Sequence, residues 1–147
     1  MIGAINNEAL GLVAIHIVLS LKQRLNIANS YLIAPLIFDK KIRGYLKRKN
    51  TNVLSAQEFI TVKSEFFVGF CDKYTDSLVA TTNAIAMGVE LKLFDIKGGE
   101  LIILEPFSFG QERLGRKIDE VRSASGNIVV MLSEEPESLY SLLRVKV

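Results

Sequence analysis

The sequence predicts an α+β domain, mostly α, in which a helical body carries a β-hairpin and a C-terminal strand in a winged-helix-like order. Three observations predict it. Lys97-Gly98-Gly99-Glu100 sets two glycines in a two-residue turn, where type I′ or II′ geometry needs positive φ and a residue without a side chain adopts it at least cost. Long apolar segments on both sides of that turn recur at helical spacing. The chain closes on Leu143-Arg144-Val145-Lys146-Val147, a strict alternation that reads as a strand. At 147 residues this is one domain, 1–147, able to bury roughly two thirds of its unfolded surface without disulfides or metals. With 49% hydrophobic and 23% charged residues it is globular, and a net charge of +2 is too small to imply nucleic acid by itself.

Counting outward from the turn fixes the hairpin register: Lys97 faces Glu100, Ile96 faces Leu101, Asp95 faces Ile102, Phe94 faces Ile103, Leu93 faces Leu104 and Lys92 faces Glu105. Ile96, Leu101, Phe94 and Ile103 then share one apolar face, expected in the core. The terminal strand is expected to join this hairpin as its third strand, the alternative being pairing with another chain.

At the N-terminus, Ala9 to Leu21 is apolar except for His16 and Ser20. Thirteen residues are too few to span a bilayer, and neither a basic leader nor a cleavage site is evident, so a buried helix is expected. Asn6 or Asn7 caps it, and Leu10, Val13, Ile17 and Leu21 mark its stripe. Its near all-round apolarity implies cover on several sides. His16, the only histidine, has no companion ligand and reads as a hydrogen-bonded structural group. The single cysteine, Cys71, excludes an internal disulfide, is expected to pack in the core, and fits a reducing, cytoplasmic setting.

A second helix is expected to start between Ser30 and Ala34, with Pro35 in its first turn, and to run to about Arg48 with Phe38, Ile42, Tyr45 and Leu46 inward. Lys40, Lys41, Arg43, Lys47, Arg48 and Lys49 put six of the eighteen basic residues into ten positions with no acid among them. This is either a solvated helix face or an anion-seeking surface, for nucleic acid or for an acidic patch on a protein. Ser55-Ala56-Gln57-Glu58 is a capping box opening a helix with an aromatic face of Phe59, Phe66 and Phe70, beside Ile60 and Phe67. The next helix is capped by Asp72 or Thr75, turns Leu78, Ile85 and Ala86 inward, and ends at Gly88. Its stretch from Thr75 to Met87, the position of a recognition helix, carries no Lys or Arg.

Gly110 to Lys117 nearly spells a phosphate-binding loop, but Arg116 and Lys117 stand where its lysine and its Ser/Thr belong, so nucleotide binding is not expected. A long helix follows, from Leu114 to Leu132, with Leu114, Ile118, Val121, Ser125, Ile128 and Leu132 inward and Gly126 suggesting close approach of another backbone or a local weak point. Pro136 opens a short helix to Leu142. The carboxylate pairs Glu134 with Glu135 and Asp119 with Glu120 are sequence neighbours that face apart, so no catalytic set is read, and no cofactor or metal is expected.

The run Tyr31 to Arg43 (YLIAPLIFDKKIR), the Phe-rich helix after Ser55, the helix end Thr82 to Gly88 (TNAIAMG) and the closing Leu139 to Val147 (LYSLLRVKV) together resemble the middle component of bacterial three-component ABC ATPase systems, over about Asn6 to Val147. The resemblance implies a small non-enzymatic adaptor or regulatory subunit. Its partners would be an ABC-type ATPase with a long coiled coil and an effector, in systems that defend bacteria against phage or other invading DNA. No catalytic residues come with it. The expected function is docking on the ATPase and coupling it to the effector, with Lys40, Lys41, Arg43, Lys47, Arg48, Lys49, Arg144 and Lys146 as candidate contacts. The alternative is a winged-helix DNA-binding regulator using the same basic cluster.

Overall fold

The computed structural model describes residues 6–108 and 115–146. Asn6 opens helix α1 (Asn7–Lys22), its side chain accepting from the Ala9 amide at 2.7 Å. From Leu10 to Leu19 every residue except Val13 is buried, because the helix lies against both α6 (Phe70–Glu90) and α7 (Arg116–Met131). Leu21, expected in the stripe, is 57% exposed in the last turn. His16 has the structural role expected of it. Its Nε2–H donates to the Glu105 carbonyl at 2.5 Å and its ring meets Phe107 edge-on at 5.3 Å.

The chain reverses after α1 through Gln23, at φ 74°, into a strand absent from the sequence reading, β1 (Arg24–Asn26). It pairs antiparallel with β3 (Glu100–Ile103), which pairs in turn with β2 (Phe94–Lys97), giving the order β1-β3-β2. The hairpin has the predicted register from Lys97↔Glu100 to Phe94↔Ile103. Beyond it Lys92 turns to φ 61°, and the Leu104 and Glu105 amides both donate to the Leu93 carbonyl, which ends the ladder before the two outermost predicted pairs. Phe94 and Leu101 are fully buried and Ile103 partly so, whereas Ile96, beside the turn, is 45% exposed.

The expected C-terminal strand does not form among the described residues. Helix α8 (Pro136–Leu142) ends, Arg144 takes φ 57°, and the Val145 amide donates back to the Tyr140 carbonyl at 3.0 Å. Arg24–Asn26 already occupies the β3 edge, and Leu143 and Val145 are buried by folding over α8 instead. Val147 lies outside the described residues.

The long helix expected to start between Ser30 and Ala34 and run to about Arg48 is two short ones, α3 (Ile33–Ile37) and α4 (Lys40–Leu46), preceded by a further short helix, α2 (Ile27–Ser30). Asp39 makes the break. Its backbone is extended, its carboxylate accepts from the Ile42 amide at 2.8 Å, and it pairs with Lys73 of α6. A residue that satisfies the amides of a new first turn makes restarting cheap.

The Phe-rich segment is likewise divided. Ser55 accepts from the Glu58 amide at 3.1 Å and opens α5 (Ala56–Val62), but a 3₁₀ turn, Ser64–Phe67, follows, and Gly69 at φ 73° leads into α6. Helix α6 therefore starts at Phe70, ahead of both proposed caps, Asp72 and Thr75. The aromatic residues form a cluster instead of a single stripe: Tyr45 stacks on Phe59 at 5.3 Å, and Phe66 and Phe67 meet Phe59 edge-on. Helix α6 also runs through Gly88 to Glu90, and Ala86 is exposed, not inward. Gly88 serves packing: a Cβ there would lie 2.0 Å from Cζ of the buried Phe94 ring. In α7 the buried positions are Val121, Ala124, Ser125, Ile128 and Met131. Leu114 and most of the phosphate-loop-like stretch lie outside the described residues. Tyr140 of α8 donates to the Ala28 carbonyl and lies 3.4 Å from the Tyr74 hydroxyl; burial, then Tyr74, pushes its phenol well above the ordinary range.

Candidate partner interface

The eight candidate cations have separate fates. Arg43 is an internal tie: its side chain is only 9% exposed, Nη1 donates to the Ile37 carbonyl at 2.6 Å, and Nε to Glu120 of α7 at 3.1 Å. Lys47 holds the second oxygen of Glu120 at 2.5 Å. Burial by itself would raise the Glu120 carboxyl, but the bonds from Lys47 and Arg43 outweigh it and hold it below the usual carboxylate range. Asp39 follows the same logic, with Lys73 and the Ile42 amide overcoming burial. Lys40 borders a separate hollow with Asp39, Lys73 and Asp76. Lys41 and Lys146 are exposed on no described hollow of this group. Arg144 borders an apolar groove of about 800 Å³ walled by Ile60, Phe67, Val68, Phe70 and Leu142. Cys71, expected in the core, is half-buried on that groove's wall in the first turn of α6, where the neighbouring Phe70 takes the buried position.

Lys47, Arg48 and Lys49 do come together, and the fold adds a cation from far along the chain. Two hollows of about 500 and 470 Å³ lie along α7 and share Lys47 and Ser123. The first is bordered by Arg116, Asp119 and Glu120; the second by Arg48, Lys49, Val53, Gly126 and Val130. Asn127, passed over in the sequence, shapes this trough. Its Nδ2 donates to the Leu46 and Thr51 carbonyls at 3.0 Å, and its Oδ1 accepts from the Val53 amide at 3.0 Å. An Asn inside an amphipathic helix, where its propensity is poor, was the available signal. Tyr45 contributes no free ring to the trough, since Phe59 stacks on it and Arg48 and Lys63 lie 5.7 and 5.1 Å from its centre.

Gly126 is exposed on this trough. A Cβ there would meet nothing within 4 Å, so among the described residues no backbone makes the close approach that a mid-helix glycine suggests. Relative to alanine it costs the helix about 1 kcal/mol with no packing return from the described residues. By contrast, the exposed face of α6 carries Asp72, Asp76, Asn83 and Glu90, and its one cation, Lys73, is turned to Asp39.

With these surfaces in place, the chain can be set beside known families. Residues 5–147 match the family model described as ABC-three component (ABC-3C) system Middle Component 3. The chain belongs to that family. No curated protein and no solved structure matches it. As a Middle Component 3 chain it is a component of an ABC-3C system, in agreement with the resemblance read from its apolar runs. Among its described residues no helix is long and apolar enough to cross a membrane.

Proposed function

We propose that this Middle Component 3 chain is a non-enzymatic adaptor or regulatory subunit, docking on the ABC-type ATPase of its system and coupling it to an effector in bacterial defence. The observation that carries the reading is the family match over residues 5–147, which takes in the whole described fold. The division of the cations supports it: some are consumed inside the fold by Glu120, while Arg48, Lys49 and Arg116 stand exposed along one trough. A charge-dependent protein contact is the chemistry such a surface favours.

The DNA-regulator reading is less well supported. The helix before the hairpin would enter the groove, and α6 presents acids outward where phosphate contacts would be needed. The test is co-purification of the tagged chain with the products of its adjacent genes at low and moderate salt. Recovery of a defined ATPase complex that weakens as salt rises is the expected result. A chain that elutes alone and shifts duplex DNA would sink the adaptor reading.

A further inference from the structure

We infer that the trough between the end of α4 and α7 takes an acidic segment of the partner protein, whose main chain crosses α7 at Gly126. This rests on the adaptor reading. Arg116 borders the first hollow with Asp119 and Glu120, and Arg48 and Lys49 border the second; Glu120 and Lys47 are already paired, which leaves Arg48, Lys49 and Arg116 against Asp119. The second hollow also has an apolar footing in Val53 and Val130. An occupant that carries carboxylates with apolar side chains beside them fits both. A nucleic-acid strand fits worse: its phosphates would meet Asp119 beside Arg116 and the apolar surface of Val53 and Val130 beside Arg48 and Lys49, and no free ring offers stacking. The missing side chain at Gly126 supplies the second observation. None of the described residues occupies the space beside it, and a partner backbone lying against the helix there would do so.

The test uses the whole chain with two probes, a fluorescein-labelled glutamate-rich peptide ending in leucines and the ATPase product of the adjacent gene. Gly126→Leu and the pair Arg48→Glu and Lys49→Glu are compared with wild type, with Gly126→Ala as a mild variant and Lys97→Glu at the hairpin tip as a control. The expected result is a loss of affinity of about tenfold or more for both probes in the first two variants, little change in the control, and melting temperatures no lower than wild type for Gly126→Leu and close to it for the charge reversal. Peptide and ATPase binding equal to wild type in those variants would overturn the trough assignment while leaving the adaptor reading standing. Peptide binding that depends on the trough, with no ATPase recovered, would support the trough and remove the ATPase as its occupant. Wild-type binding to duplex DNA but not to the peptide would overturn the proposal in favour of nucleic acid.

Discussion

Helices α6 and α7 both pack on α1 and both lean on the Ile33–Leu46 segment, yet they do so with opposite charge. Helix α6 turns its cation Lys73 inward to Asp39 and shows acids to solvent; α7 turns Glu120 inward to Arg43 and Lys47 and leaves cations around its outer side. Each also carries an interior glycine. Gly88 is pressed against Phe94, whereas Gly126 faces open space. The same layer of the fold therefore contains one helix whose irregularities are explained from within and one whose irregularity is not. That difference points outward from α7.

The largest expected effect tests the inward side of α7. Replacing Glu120 by Ala leaves the buried Arg43 guanidinium without its carboxylate, and a stability loss of about 4 kcal/mol is expected in chemical denaturation. Because the folded Glu120 carboxyl lies below its ordinary range, this contribution is complete above the unfolded carboxylate pKa and disappears as pH falls through the folded one. The gap between wild type and Glu120→Ala should accordingly narrow in acid; a gap independent of pH would refute the ion-pair account.

Gly88→Ala comes next. The added methyl would overlap a ring with no room to move, and a loss of about 3 kcal/mol is expected; near-neutral behaviour would show that Phe94 can yield. Gly126→Ala should have the opposite sign, a gain of about 1 kcal/mol in the same assay, since only helix propensity changes. If the two glycines behaved alike, the contrast between the helices would fail. Smallest is the double change Arg48→Glu with Lys49→Glu, exposed positions whose combined effect on melting should stay within about 0.5 kcal/mol. A larger loss would mean that these cations serve the fold.

Local chemistry made several parts of this protein legible in advance. Adjacent glycines dictate a two-residue turn, and the turn dictates the pairing of Phe94 to Lys97 with Glu100 to Ile103. Asn6, Ser55 and Pro136 announce helix starts because caps and first-turn prolines act within a few residues. The apolar run of α1 was legible as a helix needing cover, though not which helices supply it.

The sequence by itself thus determined the hairpin and its register, the principal helix starts, the mostly helical α+β class and the family. Tertiary structure decided the rest, through contacts between distant residues. Lys73 and Asp39 divide an apparent long helix, and Arg24–Asn26 takes the sheet edge that the C-terminal alternation seemed made for. Burial turns a uniform row of six cations into internal ties and an exposed trough, because only one of two partners in a packed pair is visible in any local window. The sign of each glycine was decided the same way: along the chain Gly88 reads as a helix stop and Gly126 as a place of close approach or weakness, and the distance to Phe94 gives the close approach to Gly88.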